Sequence, residues 1–204
     1  MASDTLLHQT HPLRADFFEK ASDLLAQLAR EGQKPKVMFI GCSDSRVVPE
    51  LLTGARPGEV FVVRNVANII PPFGTGHWSA GAALEYAVNH LQVAHLVICG
   101  HTDCGGIKAL DSRIDPLAEQ SLRQWIEFAR EAQTRTDGRG VEPERRHRAI
   151  VEQDILVQME HAAGYPAVRK AMDEHRLELH GWLYDLYGPL VYSYNSKTGQ
   201  FESA

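Results

Sequence analysis

Three side chains of the kind that hold soft or borderline metal ions stand in two short polar stretches, Cys42 in CSDSR and His101 with Cys104 in HTDCGG. Two thiolates and an imidazole suit zinc. Three protein ligands leave a fourth place for water, which separates a catalytic zinc site from a closed structural one. Asp44 and Arg46 lie two and four residues beyond Cys42, so a carboxylate and a guanidinium share the rim of that metal. Such an aspartate either takes the fourth place itself, closing the site, or pairs with Arg46 and accepts a hydrogen bond from water on the metal, leaving it open. Cys99 sits in the apolar run HLVICG and is read as a small buried hydrophobe. A redox pair is not indicated, because the C-x-x-C spacing is absent and His101 stands at its first position.

Two distant stretches can meet only if the elements before them end on one rim. Val37 to Gly41 and His95 to Cys99 are apolar runs that break straight into CSDSR and HTDCGG, and Val60 to Val63 is a third run rich in β-branched residues. All three predict buried strands. Between them, Ser79 to Leu91 has helical spacing, with a loop from Asn68 through PPFGTG to His77. Alternating strands and helices predict an α/β fold with a central, mostly parallel β-sheet flanked by helices. In such a sheet ligands gather beyond the carboxyl ends of the strands, where both polar stretches fall. Phe17, Phe18, Ala21, Leu24, Leu25 and Leu28 predict an amphipathic helix from Leu13 to Arg30 that stops at Gly32, giving an N-terminal helical arm over residues 1–32. Leu117 to Ala132 and Glu144 to Ala162 predict two more helices joined by the surface loop TRTDGRGVEP. Leu177 to Tyr184 and Leu190 to Tyr194 flank Gly188-Pro189 and predict a C-terminal edge strand or hairpin.

With 204 residues, 44% of them hydrophobic, the chain is expected to form a single domain spanning 1–204. A net charge of -5, with 21 basic and 26 acidic residues scattered along the chain, offers no basic stripe for a phosphate backbone, so no nucleic-acid partner is expected. No apolar run reaches the ~20 residues of a membrane span, and the first residues lack the apolar stretch of an export signal. Three cysteines are too few and odd for a disulfide framework. A cytoplasmic protein with no membrane partner is expected.

C-x-D-x-R after one strand and H-x-x-C-G-G after another together resemble the β-carbonic anhydrases. Similarity to the plant-type branch extends through PGEVFVVRNVANIIPPF, ALEYAVNHL and ELHGWLYD, over about Gln33 to Asp185. The resemblance implies one zinc ion per subunit on Cys42, His101 and Cys104, with the dyad of Asp44 and Arg46 orienting a zinc-bound hydroxide that attacks carbon dioxide to give bicarbonate and a proton. It implies that Gln33 hydrogen-bonds substrate, that Phe61, Val66 and Tyr86 line an apolar pocket, some of them across a dimer interface, and that His90 falls at a proposed proton shuttle; backbone N–H groups near Gly105, with the Gln33 amide, are expected to stabilise charge on the substrate oxygen. It further implies a homodimer at least, extending to a homotetramer or higher assembly, with N-terminal helices embracing the partner subunit. Val47 and Arg64 coincide with part of the allosteric bicarbonate site of the other major branch, but Phe39 stands where that site needs tryptophan, so no such regulation is expected.

Two thiolates cancel the formal charge of zinc, which weakens its Lewis acidity and predicts an alkaline activity profile. Hydrolysis of carbonyl sulfide or carbon disulfide on the same zinc site is the alternative chemistry. A zinc-stabilised binding module without catalysis, with Asp44 permanently on the metal, is a more distant alternative and conflicts with the presence of Arg46.

Overall fold

The computed structural model describes residues 12–203, so the expectation about an export signal lies outside the described residues. Within that span no helix is long and apolar enough to cross a membrane. Strands β1 (Val37–Cys42), β2 (Val60–Asn65), β3 (His95–His101) and β4 (Glu178–Asp185) are parallel, and β5 (Leu190–Asn195) and β6 (Gln200–Ser203) continue the sheet antiparallel. Their order is β2-β1-β3-β4-β5-β6. Beyond their first residues, β1 and β3 are buried along their whole length, which is why their sequences are unbroken apolar runs instead of alternating ones.

After β1 the chain goes to β2 on one side and then to β3 on the other. The carboxyl ends of β1 and β3 therefore border a topological switch point, the crevice where open α/β sheets bind ligands. Both polar stretches open there.

Around the sheet lie α1 (Pro12–Glu31), α2 (Pro49–Thr53), α3 (Trp78–Glu85, continued by a π-helical turn Tyr86–Leu91), α4 (Gly105–Lys108), α5 (Gln120–Ile126), α6 (Arg130–Asp137), α7 (Pro143–Ala163) and α8 (Pro166–Asp173). Helix α7 carries much of the packing. It approaches β3 and β4 across two glycines: a Cβ on Gly100 would lie 2.9 Å from Ile155 Cγ1, and one on Gly181 would lie 2.8 Å from Met159 Sδ. The first helix is different, because its Phe17 and Phe18 are 48% and 53% exposed.

Several boundaries depart from the sequence expectation. Leu117 to Ala132 is not one helix: Leu117 is an exposed loop residue, α5 starts at Gln120, a 3-10 turn follows, and α6 runs on to Asp137 into the segment expected as loop. Helix α8 was not expected from the sequence: it buries Val168 and Ala171 on one face, but its eight residues are fewer than the stretch over which helical spacing can be told from chance. The C-terminal hairpin forms as β4 and β5, but β4 is interior, paired with β3 on one side and β5 on the other. On that side of the sheet the edge strand is β6.

Candidate metal centre

Cys42 is the last residue of β1 and His101 the last of β3, with Cys104 just before α4. All three are buried, and their ligand atoms lie within 4.8 Å of one another. The sulfurs are 3.9 Å apart. Two sulfurs at ~2.3 Å from a tetrahedral zinc would be about 3.8 Å apart, so the pair already has the spacing the ion requires. His101 Nδ1 lies 2.9 Å from the Thr102 carbonyl, which can only accept, so Nδ1 carries the proton and Nε2 keeps a lone pair. That Nε2 is buried and has no hydrogen-bond partner. A buried polar atom without a partner is costly, and a cation shared with the two sulfurs satisfies it. The residues fit a zinc ion.

The thiols report the same need for a cation. The two sulfurs share one hydrogen bond in which either can donate, and this bond above all holds the pKa of Cys42 below the usual thiol range, against burial and with help from His101 and the N–H groups of Asp44 and Ala67. The same bond, burial and the neighbouring charge raise that of Cys104. Two buried thiolates at this separation repel, and a divalent ion between them lets both ionise. The thiol of Cys99, fully buried one strand position before Gly100, is pushed up to about 12 by burial and packs with Phe39 and Val97 in a core cluster separate from the one that holds Cys42 and Cys104.

Asp44 is clamped by Arg46. Its Oδ1 accepts from the Arg46 backbone N–H and Nε, both at 2.9 Å, and its Oδ2 accepts from an Arg46 Nη at 2.7 Å. These bonds, the side-chain pair foremost, hold the carboxyl far below the usual carboxylate range. Asp44 Oδ2 is 3.9 Å from His101 Nε2, within one small ligand of the metal position.

Supports that the sequence reading did not assign surround this dyad. Asp103 accepts from the other Arg46 Nη at 3.0 Å and pairs with Lys108, so the guanidinium is gripped from two sides. Asp103 has a positive φ of 62°, a conformation aspartate tolerates, and an acidic residue standing between two ligands in H-T-D-C was the available signal. Arg64 donates to the carbonyls of Cys42 at 3.0 Å and Asp44 at 2.6 Å, fixing the turn that carries both. Past β2, Ala67 and Asn68 adopt left-handed φ values of 61° and 48°, which turns the Ala67 N–H toward Cys42. The Asn68 amide is anchored on Asp154 at 3.2 Å.

A family model for carbonic anhydrase matches residues 37–190. The chain is 38% identical over 191 residues to a carbonic anhydrase of Pseudomonas aeruginosa, covering 92% of this chain and 86% of that one. Its structure matches that of the β-carbonic anhydrase CcaA with a TM-score of 0.87 at 32% identity, over 100% of this chain and 92% of the other. This chain belongs to the β-carbonic anhydrase family. A tetrameric β-carbonic anhydrase of the ascomycete Sordaria macrospora is also similar, with a TM-score of 0.82 at 28% identity over 94% of this chain and 96% of the other. A carbon disulfide hydrolase matches with a TM-score of 0.55 at 17% identity, a likeness of fold alone. The general reaction of carbonic anhydrases is the hydration of carbon dioxide, and β-class members are metalloenzymes.

In this β-carbonic anhydrase the remaining expected residues fall into two groups. Val66 and Gly105 border the cleft of their own chain: Val66 follows Asn65, the register partner of Cys42, and its Cγ1 lies where a Cβ on Gly106 would come within 2.8 Å. Gly105 has open space where its Cβ would be. Phe61, Tyr86 and His90 form a separate aromatic group, with Phe61 and Tyr86 ring centroids 5.9 Å apart and Tyr86 stacked on His90 at 5.4 Å. Phe61 pairs with Met38, four residues back from the Cys42 level, or ~13 Å along the strand. Gln33 is exposed and precedes the start of β1, whereas Cys42 ends it, so a whole strand separates them within one chain. Phe39 and Val47 are fully buried, Phe39 with its ring edge against Trp182.

Proposed function

We propose that this chain is a zinc carbonic anhydrase of the plant-type branch that interconverts carbon dioxide with bicarbonate and a proton. The observation that carries this reading is the buried, unpartnered Nε2 of His101 set against two cysteine sulfurs, with an arginine-held aspartate 3.9 Å away. Cys42, His101 and Cys104 hold the ion. Zinc bound there supplies the Lewis acidity that makes water a nucleophile near neutral pH. Arg46 keeps Asp44 ionised and turned toward the cleft, where the carboxylate accepts a proton of the reacting water in a hydrogen bond and aims the oxygen lone pair at carbon. Asp103 and Lys108 keep Arg46 in place. The backbone N–H at Gly105, on the first turn of α4, and the Gln33 amide receive the charge that develops on the substrate oxygen, and Val66, Phe61 and Tyr86 provide the apolar wall that carbon dioxide needs. His90 carries the released proton toward solvent.

The position of Gln33, Phe61 and Tyr86 supports a dimer in which they serve the cleft of a second subunit, with α1 as the embracing arm of a single domain spanning 1–204. The tetrameric relatives support assembly beyond the dimer. Three free cysteines support a cytoplasmic setting. The thiolate pair predicts activity that rises on the alkaline side, and Phe39, buried where the other branch's bicarbonate site needs tryptophan, favours bicarbonate dependence without cooperativity.

Stopped-flow hydration of carbon dioxide, with zinc measured on the same sample, tests the reading. Turnover should scale with zinc content, disappear with it in Cys42→Ser, and exceed turnover of carbonyl sulfide and carbon disulfide. Full turnover by zinc-free protein would sink it.

A further inference from the structure

At the far end of the sheet from the cysteine cleft, the amino-terminal ends of β3 and β4 carry another set of ligand-type side chains. His95 opens β3, Glu178 opens β4 directly beside it in register, and His180 stands two residues on, on the same face as Glu178. His95 Nδ1 is 3.1 Å from His180 Nε2, and Glu178 Oε2 is 3.7 Å from the first nitrogen and 3.9 Å from the second. Nitrogen and oxygen ligands at ~2.0–2.1 Å from a tetrahedral ion lie about 3.3–3.4 Å apart. The three separations bracket that value. Glu178, whose side chain is 73% exposed, can supply the few tenths of an ångström by a small torsional change.

We propose that His95, Glu178 and His180 form a second metal site, for an exchangeable divalent first-row transition ion. Two imidazoles and one carboxylate are a set that zinc and nickel accept, with further places left for water. Burial, followed by the neighbouring His95, lowers the pKa of His180, so its lone pair is available at neutral pH. An ion has a way in, because His95 and His180 line a cavity of about 640 Å³ that also meets Val37, Val60 and Trp182. Lys34 and Lys36 line the same cavity, and their charge makes this site weaker than one with two thiolates. A hydrogen bond between neutral imidazoles explains the shortest distance by itself; it does not explain a carboxylate oxygen standing over both nitrogens.

The test is calorimetric titration of untagged, zinc-loaded, assembled protein with Ni²⁺ and then Zn²⁺ near pH ~7.5, where imidazole is neutral. Wild type should take up one further ion per chain. His95→Gln with His180→Gln should lose that ion while keeping the first metal and hydration activity, and Glu178→Gln should weaken uptake at least tenfold. Cys42→Ser should retain the second event, which separates this site from the cleft. No further uptake by wild type, or equal uptake by the double variant, overturns the proposal and leaves the histidines as a hydrogen-bonded pair. If circular dichroism shows the double variant unfolded, Glu178→Gln decides alone, and unchanged affinity there overturns it.

Discussion

Arg46 makes three hydrogen bonds to Asp44 and is itself held by Asp103, so the charge and direction of one carboxylate depend on two neighbours outside the ligand set. With Arg46 gone, Asp44 is a free anion next to a divalent ion and swings onto it. Arg46→Ala is therefore expected to keep its zinc and lose about a hundredfold in turnover, the upper range for an outer partner of a metal site. Stopped-flow assay with metal analysis reads both quantities, and near-normal turnover would refute the gating role. Asp103→Asn leaves the Arg46–Asp44 pair intact and removes only its brace, so a loss of about tenfold or less is expected in the same assay.

At the scale of elements, the centre stands on β3 and the helix packed against it. Helix α7 sits so close to β3 that a methyl group at Gly100 would meet Ile155 at 2.9 and 3.0 Å and Val151 at 3.1 Å. Gly100→Ala is expected to destabilise the protein by about 1–3 kcal/mol, measured by denaturant unfolding, because both neighbours must leave their packed positions. Asp154, on the same helix, anchors the Asn68 amide at the loop beside Cys42. Burial, with a smaller push from the charge of Cys42, raises its carboxyl from 3.8 to about 7, against hydrogen bonds from Gln158 and Asn68. Between those pH values the folded form holds a proton that the unfolded form has released. The contribution to stability is thus complete below the unfolded value and drains away as pH climbs to the folded one. Asp154→Asn removes this dependence, and its unfolding free energy should gain on wild type by about 2–3 kcal/mol between pH ~5 and ~8. A gap that stays constant with pH would show that Asp154 is not proton-linked.

For the whole molecule, α1 presents half-exposed Phe17 and Phe18 in edge contact, with ring centroids 5.6 Å apart, while Gln33 begins the next segment at the wrong end of β1 to serve its own cleft. A partner subunit would cover the first and use the second. Removal of residues 1–32 is expected to shift the protein to monomers at micromolar concentration, read by light scattering, with a matching fall in turnover. A truncated chain that remains dimeric and fully active would rule out the arm.

By itself the amino-acid sequence determined the parallel sheet, the strands that end in CSDSR and HTDCGG, the three ligand-type residues and the pairing of Asp44 with Arg46. These are legible because burial on both faces of β1 and β3 writes an apolar run, and a ligand placed at a strand end interrupts it abruptly. Helix α8 and strand β6 were not legible, since eight and four residues are too few for a helical or alternating pattern to stand out from chance. Only the tertiary structure decided that Asp103, Lys108 and Arg64 brace the dyad, that Asn68 leans on Asp154, and that Gln33 and Phe61 lie away from their own chain's cleft. Those relations join residues far apart in sequence through hydrogen bonds and strand order, and a charged side chain reads the same along the chain whether it faces solvent or a partner that folding brings to it.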